Sequence, residues 1–592
     1  MLKTQKEYID FLSLCKDSIE KTGIEIKKVK DDENELFNNT DTKAKKSVNT
    51  ESMSLSEWIT TLQKHISDTD LIVPVIGAFS AGKSSLLNSF LGKRYLSEGI
   101  APETALATEL HYNTNEYIEA VRENGSIEKF SVNDGEILKE RAPEFQFLRF
   151  YINAEKLKAI EPLVLVDMPG FESPLDSHNK AIFQYAQKGV YFIALQSIED
   201  GNITKTMLRK LEEIDRFERR FSFFISKTNL KPSSEITKVQ DYIQQQLDDN
   251  GFDSEVMLLS DRENDNLKKV LESINAEGLI KDIFATTLQG IAFDIENAIN
   301  TKIESYKRSK EENDYILQKK VEEMQRVEQE QLACIEEARS NSSRQHSNRI
   351  INNVVRKLNN SADEIAQAYK SRGQSGADSV INDLIRSSLS AELKDSMGDI
   401  ANGITSRIDS TLSSMNINAS STAQSPTIYV NQAGLAREAK SALNSGIKTL
   451  IKHGGLIGSI GGALKFALPV LNPVIGILVS LLPSLIMSIF GGGGKKQDVQ
   501  DEMRHIKNAV ISQVIPEIKS ELEKQIPEIF NNQVEEMIKE IGANYKDRIE
   551  QERQAVELAQ KEMESQSANI ESMVTTCREA IDSIQKEVKR LF

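Results

Sequence analysis

The chain has 592 residues, of which 27% are charged and 39% hydrophobic, and its formal net charge is −16. That length calls for several cores rather than one. The acidic balance argues against a nucleic-acid binder, which needs clustered Lys and Arg to neutralise phosphates, but it leaves room for a local basic patch on an anionic membrane.

The opening residues, Met1 to Glu7, include an early acid and no apolar core of signal-peptide type, so a cytoplasmic protein is expected. Helical spacing at Tyr8, Leu12, Cys15 and Ile19 predicts a first helix. A charged, Asn-rich stretch from Asp31 to Thr50 reads as a linker. Ser54 and Glu57 then form a capping-box pattern that opens a short helix through Trp58, Leu62 and Ile66. The three cysteines, Cys15, Cys334 and Cys577, are far apart, and the six histidines are scattered without an HxxxH pattern. Neither a disulfide framework nor a structural metal is expected.

Short apolar runs follow at Leu71–Ile76, Leu163–Val166, Val190–Leu195, Phe221–Ile225 and Val256–Leu259, with helical stretches between most of them. Strands buried on both faces read this way, so an α/β domain with a doubly wound, mostly parallel sheet is predicted over 71–285. Beyond it the pattern is helical and no proline occurs between Pro232 and Pro426. Leu317, Val321, Met324 and Val327 form one apolar stripe. Ile570, Val574, Cys577, Ile581, Ile584, Val588 and Leu591 form a heptad seam, which needs a partner helix. Residues 286–440 and 498–592 are therefore read as two arms of a helical trunk, with 1–70 as helices packed on the trunk or on the α/β domain. A Ser-rich linker is expected from Ser406 to Ser425. Between the arms, 441–497 is apolar, and from Phe466 to Gly494 it carries no charge.

The segment Gly77-Ala78-Phe79-Ser80-Ala81-Gly82-Lys83-Ser84 follows an apolar strand and precedes a helix, the context that makes GxxxxGKS a strong phosphate-binding signal. Its backbone amides would wrap the phosphates at a helix N-terminus, Lys83 would reach the β- and γ-phosphates, and Ser84 would ligate Mg2+. Asp167-Met168-Pro169-Gly170 follows a strand. Asp167 could hold a magnesium water, and the Gly170 amide could meet a γ-phosphate. Thr104, within Pro102–Ala105, could complete the magnesium shell, with Thr108 as its competitor.

These motifs resemble the dynamin superfamily of large GTPases, particularly bacterial dynamin-like proteins. The phosphate loop reads GxxSxGKSS with Ser80 and Ser85 in the family's places, Pro102–Ala105 looks like its switch I motif, and Asp167–Gly170 looks like its DxPG motif. The trunk and the apolar insertion match its layout. The resemblance implies a GTPase that binds GTP/GDP with Mg2+ and hydrolyses GTP through Ser80, Lys83, Ser84 and Thr104. It also implies self-association through the GTPase domain, related dynamin-like partners, and peripheral association with a membrane that is bound or remodelled. Two positions depart from the family. Phe79 stands where the family has a glutamine that positions water, so turnover could be weak or partner-dependent. Ser226-Lys227-Thr228-Asn229 stands where the family has Asn or Thr, Lys, any residue, and Asp. Lys227 can still lay its stem on the base. Asn229 offers one acceptor where guanine presents two donors, and an unmatched buried polar group costs about 1–3 kcal/mol.

Three readings of the apolar segment stay open: a membrane-inserting tip, a buried helical hairpin, and a permanent anchor. The tip reading assigns lipid contact to Val470, Leu471, Ile475, Leu478, Leu482, Ile486 and Phe490, with Lys448, Lys452, Lys465, Lys495 and Lys496 at the borders. Function divides similarly, between a mechanochemical GTPase, a nucleotide-gated switch or scaffold with little hydrolysis, and a membrane-inserting pore or toxin-secretion component.

Overall fold

The computed structural model describes residues 1–29, 52–78, 80–96, 106–122, 124–170, 185, 188–216, 219–259, 265–339, 343–419, 470, 474, 477, 482, 484–487, 499–565 and 569–592. Helix α1 (Lys3–Thr22) is followed by a two-stranded antiparallel ribbon, β1 (Lys27–Val29) and β2 (Ser52–Ser54), and by α2 (Leu55–Ser67). The expected capping box forms at the start of α2: Ser54 Oγ accepts from the Glu57 amide at 3.3 Å, and the Glu57 carboxylate accepts from the Ser54 amide at 2.9 Å.

The α/β domain runs β3 (Leu71–Gly77), α3 (Lys83–Leu91), β4 (Ala107–Tyr112), β5 (Tyr117–Val121), β6 (Ile127–Phe130), α4 (Gly135–Arg141), β7 (Phe147–Ile152), α5 (Glu155–Ile160), β8 (Leu163–Asp167), β9 (Tyr191–Ser197), α6 (Lys205–Arg216), β10 (Arg220–Ser226), α7 (Ser233–Asp249), β11 (Val256–Leu258) and α8 (Asp265–Ser273). Among the described residues the sheet has nine strands in the order β11-β10-β9-β3-β8-β4-β7-β5-β6. The half from β11 to β8 is parallel, and it consists of the five apolar runs of the sequence. The other half is mixed: β4 is antiparallel to β8, and β5 is antiparallel to both β6 and β7. Its strands carry charge, as in Ala-Thr-Glu-Leu-His-Tyr of β4, whose first four residues are all buried.

A continuous run of long helices follows: α9 (Ala276–Tyr306), α10 (Lys310–Glu337), α11 (Ser343–Asn360), α12 (Ala362–Arg372) and α13 (Gln374–Ala419), then α14 (Val499–Ala509), α15 (Ile515–Ser565) and α16 (Ile570–Leu591). The expected domain limit at 285 lies inside α9, an uninterrupted helix that carries the chain out of the α/β domain. The Ser-rich linker expected from Ser406 is helical through Ala419, while 420–425 lie outside the described residues, as does the linker expected from Asp31. Ile404 and Ile408 hold that part of α13 in the trunk core, and Ser406 sits on the exposed side.

Two apolar cores organise the helices. In the first, α1, α2, α9 and α16 pack together and onto the sheet, with Phe11, Leu12, Trp58, Phe284, Leu288 and Ile584 among its members. The heptad seam is met by α1 and α9 of the same chain. Cys577, Ile581, Ile584 and Leu591 are buried there, and Val574 and Val588 are partly so. Lys302 is buried across three helices, donating to the Thr22 carbonyl at 2.6 Å and to Glu562 at 2.9 Å. The second core joins α10 to α15 around residues such as Ile350, Leu389, Leu393 and Phe530. Of the apolar stripe on α10 only Val327 is fully buried, and Val321 remains 42% exposed.

Val470, Leu482 and Ile486, three of the residues assigned to lipid contact, are buried in this second core together with Val474. Met487 beside them is 67% exposed. Leu471, Ile475, Leu478 and Phe490 lie outside the described residues. In this conformation lipid contact through those three side chains requires their release from the core. Among the described residues no helix is long and apolar enough to cross a membrane.

Ile584 is fully buried in the seam, whereas Ile581 keeps 9% of its surface. A carboxylate at either place is an unpaired charge in an apolar environment, at a cost of several kcal/mol. Ile584→Asp is expected to lower the melting temperature followed by circular dichroism, and by more than Ile581→Asp. Unchanged melting of both variants would contradict the packing of α16.

Candidate functional site

Strand β3 ends in Gly77, where an added Cβ would stand 2.5 Å from the Leu195 carbonyl of β9, so no side chain fits. The loop then turns through two left-handed positions, Ser80 (φ 62°) and Gly82 (φ 93°), before α3 begins at Lys83. Glycine meets the second requirement without steric cost. Ala78 and Ala81 are buried against the two faces of the domain, and Ser85 is exposed at the helix start. Phe79 and Thr104 lie outside the described residues.

Lys83 is buried, and its Nζ donates to the carbonyls of Gly77 at 3.1 Å and Ala78 at 2.9 Å. This ammonium lies inside the loop whose amides would face phosphate, where a polyphosphate would compete for it with stronger charge-assisted bonds. Ser84 Oγ donates to Asp167 Oδ2 at 2.6 Å. The other oxygen of Asp167 is buried and has no hydrogen-bond partner. Burial pushes the Asp167 carboxyl above its ordinary range, against the opposing effects of the Ser84 hydrogen bond and the Lys83 charge. A hydroxyl and a carboxylate side by side, one oxygen still unpaired, fit a magnesium ion and its waters. Gly170, the end of the DxPG motif, is buried three residues further on.

The base loop is built onto the same frame. Ser226, at the end of β10, donates through Oγ to the Ala81 carbonyl at 2.6 Å, so the first residue of the base motif holds the phosphate loop. Thr228 Oγ1 donates to the Leu259 carbonyl at 2.8 Å and anchors the turn to the end of β11. Lys227 adopts a left-handed conformation (φ 58°), and its Nζ lies 3.0 Å from Glu199 Oε2. Asn229 is exposed on that turn. The structure therefore assembles the described residues of all three motifs at one end of the parallel strands, the usual ligand edge of such sheets.

A second polar cluster lies behind the site and has no motif to announce it. Tyr185, fully buried, donates to Glu109 Oε1 at 2.7 Å, while Arg149 Nε donates to Glu109 Oε2 at 3.0 Å and His111 Nε2 lies 3.2 Å from it. Burial alone would raise the Glu109 carboxyl, but the His111 hydrogen bond and the Arg149 charge outweigh it and hold it at about 2. Glu109 stands on β4, whose Thr108 is opposite Asp167 in the sheet register. The cluster thus ties the strand leaving the Thr104 segment to the chain that follows the DxPG motif. A lone Glu between Thr and Leu gives little sequence signal, and Arg149 comes to lie opposite it only in the folded register of β4 and β7.

A Gly-rich phosphate loop between a parallel strand and a helix, with a magnesium-type Ser–Asp pair beside it, defines a P-loop nucleotide-binding domain of the GTPase type. Residues 73–228 match the model of the Dynamin family, and this part of the chain is a dynamin-family domain. Over 163 residues the chain is 26% identical to the probable transmembrane GTPase FZO-like, chloroplastic, of Arabidopsis thaliana, which covers 28% of this chain and 16% of that protein. Over 119 residues it is 29% identical to Dynamin-like protein 2 of Campylobacter jejuni, covering 20% and 19%. The chain spans less than half the length of these curated relatives. A solved structure of an oligomerised bacterial dynamin pair, described as a mechanism for long-range sensing and tethering of membranes, is similar over 98% of this chain and 95% of that one, at 14% identity and a TM-score of 0.31.

To hold magnesium, Asp167 would have to be the carboxylate. Because burial raises this carboxyl, magnesium-dependent nucleotide affinity is expected to fall on acidification before an ordinary carboxylate would titrate, and to be insensitive to pH in that range for Asp167→Asn. Calorimetric titrations at several pH values, with and without Mg2+, measure this. Equal magnesium dependence in the variant would remove Asp167 from the metal site.

Proposed function

We propose that the chain is a dynamin-like GTPase that couples the binding and hydrolysis of GTP, with Mg2+, to the binding or remodelling of a membrane. The observation that supports it best is that Lys83 lies on the carbonyls of the phosphate loop while the adjacent Ser84 bonds Asp167, whose other oxygen is buried and unpaired. Lys83 and Ser84, with Ser80 and Thr104, would supply the catalytic and metal-binding groups. Gly77 to Ser85, Asp167, Gly170, Lys227 and Asn229 would surround GTP or GDP. The nucleotide domains of two chains, or of this chain and a related dynamin-like partner, would associate in the triphosphate state. The segment 441–497 would meet lipid from the cytoplasmic side once its buried side chains are released. Val470, Leu482 and Ile486 already lie out of water in the trunk core, so moving them into lipid exchanges one apolar surrounding for another and gains little by itself.

A nucleotide-gated switch with little turnover is the second reading, and a specific observation favours it. Asn229 replaces the carboxylate expected to accept both guanine donors, and Phe79 replaces the residue expected to position water. Turnover of GTP by the intact chain, with and without vesicles containing phosphatidylserine, separates the two. The GTPase reading expects turnover and nucleotide-dependent flotation with the vesicles. Binding without turnover under every condition supports the switch, and neither binding nor flotation contradicts both.

Lys83→Ala removes a charge-assisted contact worth about 1.5–3 kcal/mol, so triphosphate affinity is expected to drop roughly tenfold to a hundredfold, with the melting curve preserved. Asn229→Asp supplies the second acceptor. GTP is expected to bind roughly tenfold more tightly, about 1.4 kcal/mol, with no gain for ATP. Calorimetry reads both variants, and unchanged affinities would contradict the placement of the respective loop.

A further inference from the structure

The face of α6 turned away from the sheet carries Arg209, Lys210 and Glu213, and it meets the trunk helices α12 and α13 rather than solvent. Lys210 Nζ donates to Asp383 Oδ1 of α13 at 3.0 Å. Arg386, also on α13, donates through Nη2 to the same Asp383 oxygen at 3.0 Å and to Glu213 Oε2 at 3.4 Å. Arg209 Nη1 donates to Glu364 Oε1 of α12 at 2.8 Å. The side chains of Lys210, Glu213, Asp383 and Arg386 are each no more than 6% exposed. Four buried charges, two of each sign, therefore join the nucleotide domain to the trunk where an apolar contact would be expected.

The hydrogen-bonding capacity of this contact is not used up. Asp383 Oδ2, Arg386 Nε, and Nε and Nη2 of Arg209 are buried without a hydrogen-bond partner. A cavity of about 260 Å³, lined by Glu213, Ser387, Ser390, Lys394 and Asp395 among others, opens beside the network and gives water a place to enter. Charges that lose hydration on closing regain it on opening, so a buried ionic contact lies closer to balance than an apolar one of the same area. The opposite face of α6 places Met207, Leu211 and Ile214 in one apolar core with Ala78 of the phosphate loop, Met168 of the DxPG motif and Tyr185. The residue after Asp167 and α6 thus share one apolar core, through which a displacement of one can be felt by the other.

We propose that the Lys210–Asp383 and Glu213–Arg386 pairs, with Arg209–Glu364 beside them, form an ionic clasp that holds α12 and α13 of the trunk on the nucleotide domain and opens when α6 shifts. The same trunk core holds Val470, Leu482 and Ile486 together with residues of α12 and α13. The clasp stands on its own geometry. Its trigger, a shift of α6 driven by triphosphate, rests on the nucleotide function proposed above.

Small-angle X-ray scattering on the full chain without nucleotide tests the clasp. Asp383→Lys sets like charges against Lys210 and Arg386, and it is expected to increase the radius of gyration and maximum dimension with helical circular dichroism unchanged. Adding Lys210→Glu restores opposite signs across both cross-domain pairs, and the compact dimensions are expected to return. Arg386→Met, which removes one pair without adding charge, decides the matter if Asp383→Lys loses its helical signal, and it too is expected to expand the molecule. Native dimensions in the folded single variants, or a double variant as extended as Asp383→Lys, would overturn the clasp. In a separate arm, expansion of the native chain with Mg2+ and GTPγS supports the trigger. Expanded clasp variants beside a native chain that ignores the nucleotide would overturn the trigger and leave the clasp standing.

Discussion

A buried carboxylate with one oxygen committed and one free is the constraint around which the nucleotide domain is arranged. Asp167 sits at the end of β8 because the parallel register with β3 brings it level with Val75, just short of the phosphate loop. Ser84 takes one of its oxygens, and the second is left buried without a partner. A protein tolerates such a group where a ligand completes it. Lys83, folded back onto two main-chain carbonyls, is the complementary half: a cation held in place until a polyanion arrives. The base loop then inherits its position, since Ser226 is fastened to the carbonyl of Ala81.

From this frame outward, the domain passes from apolar to ionic contacts, and the change of chemistry marks where it is joined rigidly and where it can be released. Toward α1, α9 and α16 the sheet continues into a single apolar core, which binds the chain's first and last helices to the domain. Toward α12 and α13 the contact is a group of buried charges. Apolar contact is non-directional and costly to reopen, while ionic contact is directional and recovers hydration when it parts. The trunk is thus joined to the nucleotide domain by apolar packing at one place and by charges at another.

The parallel half of the fold was legible because continuous apolar runs such as Phe221–Ile225 have no other stable use in a chain of this composition. The phosphate loop was legible because its glycines and Lys83 answer backbone and charge demands that few other sequences meet. The mixed half of the sheet was not, since strands like β6 are short and carry charge, and their pairing with β5 is decided by tertiary partners rather than by local pattern. The serines from Ser406 onward suggested a linker, but Ile404 and Ile408 at helical spacing override their weak preference. The apolar segment illustrates the same limit. Its composition indicates that it avoids water, but Val470, Leu482 and Ile486 meet that need inside the trunk core. Glu109 and Tyr185 escaped notice because they are 76 residues apart and meet only through the sheet.

The proposed nucleotide site at Lys83, Ser84 and Asp167 and the clasp on α6 together require that the site be mechanically continuous with the trunk. Hydrogen–deuterium exchange of the intact chain, with and without Mg2+ and GTPγS, tests it most directly. Slower exchange at the phosphate loop and the start of α3, together with faster exchange in α6 and in the first turns of α13, is the predicted result. Protection at the phosphate loop with no change in α6 or α13 would contradict the continuity, and no change at the phosphate loop would contradict the site itself.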